Sequence, residues 1–171
     1  MQLESMYQEI ILDHYRRPKG RGLREPYDVE VHHVNPTCGD EITLRVRLAG
    51  NTIEDVSYEG MGCSISQASA SVLYELVDGK DITHALAAGD DFRTLMQSKG
   101  DPGVAEKLED SLEDAVAFAG VSKYPARIKC ALMSWMALKD ATAQALAAHE
   151  QSPSPATKNQ SSSLTTGKEN P

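Results

Sequence analysis

The sequence predicts an α+β domain in which amphipathic helices pack against a small three-stranded antiparallel sheet. Two patterns carry this expectation. Between residues 29 and 58 apolar and polar side chains alternate with the period of a strand, and beyond that stretch they recur at the spacing of a helix. Composition agrees, since 171 residues with 40% apolar content suit one soluble domain with a single core.

The first helix is marked by Leu3, Met6, Tyr7, Ile10 and Ile11, and it stops before Pro18 and the Gly20/Gly22 pair. Asp13, His14 and Tyr15 read as its closing residues. In "DVEVHHV", Val29 and Val31 face one way and Glu30 and His32 the other. In "ITLRVRL", Ile42, Leu44, Val46 and Leu48 share a face opposite Thr43, Arg45 and Arg47. Gly50-Asn51 suits a tight hairpin into a third strand, "TIEDVSY", giving a sheet with one wet face.

From Ser64 the period becomes helical, through Ile65, Ala68, Ser69, Val72, Leu73, Leu76 and Val77 to a stop at Gly79. A short helix is expected around "ITHALAAG", followed by a connection, "DFRTLMQSKGDPG". Val104, Leu108, Leu112, Ala115, Val116 and Ala119 mark a further helix. The last helix carries Ile128, Ala131, Leu132, Trp135, Leu138, Ala145 and Leu146, with Trp135 and Met136 both read as core. Residues 1–150 thus form one domain. Residues 151–171, "QSPSPATKNQSSSLTTGKENP", hold one large apolar side chain, Leu164, and cannot offset an ordering cost of roughly 1–2 kcal/mol per residue. Disorder is expected there.

A net charge of −8 argues against a surface that holds nucleic acid or anionic membrane. No run of 18 apolar residues occurs, and "MQLESMYQEI" lacks the order of a signal peptide, so a cytoplasmic protein is expected. Three cysteines are then best read as reduced thiols.

Those cysteines share a placement: Cys38 on a glycine-containing turn between strands, Cys63 at a helix entry, Cys130 in the first turn of the last helix. Helix starts favour thiolate, the form that binds metal or attacks electrophiles. Asp40, two residues past Cys38 and expected at the surface, is the natural fourth group for tetrahedral Zn²⁺ if the turn meets both helix starts. The wide gaps between the thiols match no compact zinc finger. His32 and His33 lie close to Cys38 in sequence but read as ordinary strand residues.

The segments "NPTCGD", "YEGMGCSISQAS" and "YPARIKCALMSWMALKDA", with the opening "YQEIILDHYRRPKGRG", resemble the IscU/SufU (NifU N-terminal domain) iron–sulfur assembly family from about residue 5 to 146. The resemblance implies helices on a small sheet, with Cys38, Asp40, Cys63 and Cys130 gathered at one end as metal ligands. It also implies sulfur received from a cysteine desulfurase. Where the IscU branch has histidine before its third cysteine, this chain has Lys129, and the stretch between its second and third cysteines is the longer one; both traits resemble the SufU branch. A protonated lysine is a poor ligand, leaving three thiolates and Asp40 for tightly held zinc.

The SufU likeness implies a zinc-dependent sulfur carrier that accepts persulfide sulfur from a SufS-like cysteine desulfurase and serves downstream iron–sulfur assembly machinery. Cys38 is the expected acceptor, because a glycine-flanked turn moves at lower cost than residues anchored on helices. Arg127 either supports the zinc site, meets the partner, or is simply solvated. The alternative is an IscU-type scaffold that binds iron and assembles a [2Fe–2S] cluster, since thiolates suit both metals.

Overall fold

The computed structural model describes residues 2–151; of the tail expected to be disordered from 151 to 171, Gln151 instead closes the last helix, and the rest lies outside the described residues. Its elements run α1 (Gln2–Arg16), β1 (Val29–Asn35), β2 (Asp40–Ala49), β3 (Thr52–Met61), α2 (Ser64–Val77), α3 (Ile82–Met96), α4 (Pro102–Leu112), a 3₁₀ segment (Glu113–Lys123) and α5 (Pro125–Gln151). The expected α+β architecture is present.

The sheet is antiparallel in the order β1-β2-β3. Its register follows the alternation: Val31 pairs with Leu44, and Leu44 with Tyr58, so the apolar sets stack on one face. Val31, Ile42, Leu44, Val46, Leu48, Ile53, Val56 and Tyr58 are buried on that face. Thr43, Arg45 and Arg47 keep partial access to water on the other. Gly50 closes the β2–β3 hairpin with φ of 60°, a left-handed conformation that side chains disfavour.

Helix α5 packs on β1 and β2, and α2 packs on β3 and α5. Between the helices, Phe92 stacks on Trp135 at 4.8 Å and meets Phe118 edge-on at 5.7 Å. Rings this buried contribute about 1.5–3 kcal/mol each through removal from water, so the aromatic cluster anchors α3, α5 and the 3₁₀ segment together.

Several details depart from the sequence reading. In α1, Leu3 and Met6 are half exposed, while Tyr7 and Ile11 reach the core. Periodicity marks the apolar face of a helix without saying how far its neighbours extend. Met136 is exposed although Trp135 is buried, because consecutive helix positions lie about 100° apart and only one side of α5 is covered there.

Helix α3 runs a full 15 residues to Met96 and takes in the "DFRTLM" expected in a connection, because Phe92, Leu95 and Met96 continue the buried stripe. The expected 104–119 helix is split. Glu113, at φ 48°, ends α4, and the chain continues as a 3₁₀ segment in which Ala115 to Ala119 are all buried. Spacings of three and four residues do not distinguish the two windings. His14, read as an ordinary helix end, is buried.

Candidate metal and sulfur site

The register of the sheet brings the site together. Asn35 of β1 pairs with Asp40 of β2, so residues 36–39 form the turn between them. The Asn35 carbonyl accepts N–H bonds from Cys38 at 3.3 Å and Gly39 at 2.9 Å, and Gly39 completes the reversal with φ of 70°. Cys38 sits exposed on this turn.

Asp40 is fully buried, which corrects the expectation of a surface carboxylate. The cause lies one strand away. At the end of β3 the chain passes through Gly62 into α2, and the Cys63 N–H donates to Asp40 Oδ1 at 2.9 Å. Cys63 is the N-cap residue of α2 but its own side chain makes no capping bond, so Asp40 satisfies a donor at the helix entry from across the sheet. The second oxygen, Oδ2, lies 3.8 Å from Cys63 Sγ.

Gly62 makes this approach possible. A Cβ there would stand 2.3 Å from Asp40 Oδ1 and 2.6 Å from Ser66 Oγ, and its φ of 156° is itself unfavourable for a side chain. Ser66, buried one turn into α2, donates to the Cys63 carbonyl at 3.0 Å and lies 3.9 Å from its sulfur. Neither residue was singled out in the sequence, although "GMGCSIS" contains both.

Cys130 arrives from α5. Because that helix begins at Pro125, Cys130 lies in its second turn rather than its first. Its side chain is fully buried, with Sγ 3.4 Å from Cys38 Sγ and 3.7 Å from the Ala126 carbonyl. Burial pushes the Cys130 thiol well above its ordinary range, and hydrogen bonds to Asp40 and Cys38 and the charge of Cys63 add to the effect. The helix-start argument for a lowered pKa therefore fails at this cysteine.

Arg127, exposed one turn before Cys130, has its pKa raised by the charge of Cys63 first, then by hydrogen bonding to Cys63 and the charge of Cys130. Its guanidinium faces two of the three sulfurs. Lys129 is exposed. His33 is engaged by Asp140 of α5 at 2.8 Å and His32 by Thr43 of β2 at 2.9 Å, so both histidines have partners away from the thiols.

Cys38, Asp40 and Cys130 offer donor atoms that all lie within 4.8 Å of one another; Cys63 falls outside that group, although its sulfur lies 3.8 Å from Asp40 Oδ2. Tetrahedral zinc with Zn–S near 2.3 Å holds neighbouring sulfurs roughly 3.8 Å apart. The observed 3.4 Å between Cys38 and Cys130 is close to that spacing. A buried carboxylate aimed at thiols, with no histidine in the group, matches a thiolate-rich zinc shell.

Such a site on helices and a three-stranded sheet defines a thiol-based metal or sulfur-handling α+β domain. The chain belongs to the NifU-like N terminal domain family, whose model matches residues 6–131. It is 43% identical over 144 residues to the zinc-dependent sulfurtransferase SufU of Bacillus subtilis, covering 83% of this chain and 92% of that protein. It is 40% identical over 139 residues to the iron–sulfur cluster assembly scaffold protein IscU of Streptococcus pyogenes, covering 81% of this chain and 84% of that one. Among solved structures, a putative iron–sulfur cluster assembly scaffold protein for the SUF system from Fervidobacterium islandicum matches with a TM-score of 0.70 at 35% identity, over 80% of this chain and 96% of that chain.

Proposed function

We propose that this protein is a zinc-dependent sulfur carrier of iron–sulfur cluster biogenesis, which accepts sulfur from the persulfide of a SufS-like cysteine desulfurase in the cytoplasm and serves the downstream assembly machinery. The likeness to the Bacillus subtilis sulfurtransferase supports the class of reaction. One observation carries the division of labour: Cys38 is exposed on a glycine turn, whereas Asp40 and Cys130 are fully buried. Among the described residues, no helix is long and apolar enough to cross a membrane.

Cys38, Asp40, Cys63 and Cys130 would hold the zinc. When bound, zinc supplies a Lewis acid that keeps cysteine sulfur as thiolate at neutral pH. The Cys38 thiolate attacks the outer sulfur of the donor persulfide; the new bond forms to that sulfur, the old S–S bond breaks, and the donor cysteine leaves as its thiolate. Cys38 then carries the added sulfur. Cys63 and Cys130, fixed on α2 and α5, keep the metal-binding end in place while the turn moves. Arg127 offers positive charge beside the sulfurs as this negative charge is exchanged.

Peptide mass spectrometry after incubation with desulfurase and cysteine tests the assignment. Added sulfur is expected on the Cys38 peptide of the parent and absent from Cys38→Ser, which should remain folded. Sulfur on Cys63 or Cys130, with Cys38→Ser still stimulating the desulfurase, would overturn it.

A further inference from the structure

A second group of ligand atoms lies about twelve helical positions along α2 from Cys63, roughly 18 Å at 1.5 Å per residue. His14 of α1, Glu75 of α2 and Asp114 of the 3₁₀ segment offer atoms that all lie within 4.8 Å of one another. His14 is 4% exposed, and its ring is held from behind: Nδ1 lies 2.7 Å from Ser71 Oγ, which also accepts the Lys19 N–H at 2.8 Å. Nε2 is thereby turned outward. It meets Asp114 Oδ2 at 3.0 Å and Glu75 Oε2 at 3.6 Å.

One ring nitrogen carries at most one proton, so it cannot fully serve two carboxylates. Lys19 Nζ approaches Glu75 through the other oxygen, Oε1, at 3.6 Å and leaves Oε2 directed at the imidazole. Ligand atoms bound about 2.1 Å from one metal ion at angles of about 90–120° stand roughly 3.0–3.6 Å apart. The two His14 distances fall in that range.

We propose that His14, Glu75 and Asp114 form a second, sulfur-free site for a divalent first-row cation such as Mn²⁺, independent of the thiol site. One imidazole and two carboxylates suit such ions, and the hydrogen bond behind the ring is the arrangement that orients a ligating histidine. Its open side is exposed: the Glu75 and Asp114 side chains keep 37% and 51% of their surface, so the ion enters without unfolding. Bound there, it would tie the end of α1 to α2 and to the residue that follows the Glu113 reversal.

Mn²⁺ titration of the full-length protein as purified tests this, with free Mn²⁺ followed by electron paramagnetic resonance and the metal already present measured before and after. One Mn²⁺ should bind per chain without displacing that metal, and Asp114→Asn and Glu75→Gln should each weaken binding at least about tenfold. Both substitutions lie at half-exposed positions, and circular dichroism confirms that the variants are folded. Absence of Mn²⁺ binding, parental affinity in both variants, or loss of resident metal in step with Mn²⁺ uptake would each overturn the proposal.

Discussion

Replacing Asp40 with alanine removes two interactions that can be separated. The first is structural: Asp40 Oδ1 is the acceptor for the Cys63 N–H at 2.9 Å, and the carboxylate is fully buried. An orphaned buried donor costs about 1–3 kcal/mol, and in a domain of this size each kcal/mol moves the melting temperature by roughly 2–4 °C. Asp40→Ala, stripped of metal with a chelator, should therefore melt about 2–12 °C below the stripped parent. The second interaction is ligation. Asp40→Asn keeps an oxygen for the Cys63 N–H and should recover most of the lost stability, but its neutral amide is a poor substitute for a carboxylate ligand. Competition against a chromophoric zinc chelator should show zinc affinity reduced at least about tenfold in both variants. If stripped Asp40→Ala melts with the parent, Asp40 does not support the entry of α2. Parental zinc affinity in Asp40→Asn would remove Asp40 from the ligand set.

Gly62→Ala should lower both stability and zinc retention, since its Cβ would press on Asp40 Oδ1 at 2.3 Å in a backbone conformation costing about 1–3 kcal/mol; a parent-like melt and zinc titration would contradict this. Zinc uptake should be pH-dependent. Burial holds the Cys130 thiol protonated at neutral pH, and ligation needs its thiolate, so at least one proton leaves as zinc binds. Affinity should then rise about tenfold per pH unit between about pH 6 and 8, and a flat profile would show that Cys130 is not a ligand.

The sheet was legible because side chains at alternate positions of Val29–Val31, Ile42–Leu48 and Val56–Tyr58 face one core; the register shift between Arg47 and Leu48, which brings Ile53 onto the same face, was not. The cysteine contexts were legible for a different reason: three segments resembled one family in order. What the sequence could not reveal depends on long-range packing. Asp40 is buried because Gly62, just past the end of the neighbouring strand β3, lets the chain turn tightly over it into α2, a contact between residues 22 positions apart in sequence. The break at Glu113, where φ is 48°, could not be read from the pattern, since small and apolar residues at 115–119 fit either helical winding. His14 looked like a helix terminus until α2 and the 3₁₀ segment supplied Ser71, Glu75 and Asp114 around it.

The most direct test is metal analysis and an optical spectrum of the freshly purified full-length protein. The sulfur-carrier reading, with Cys38, Asp40, Cys63 and Cys130 as the proposed ligands, predicts one equivalent of zinc in a colourless solution. A brown protein containing iron and sulfide, with the absorption of a [2Fe–2S] cluster, would contradict the sulfur-carrier reading and assign the site to cluster assembly.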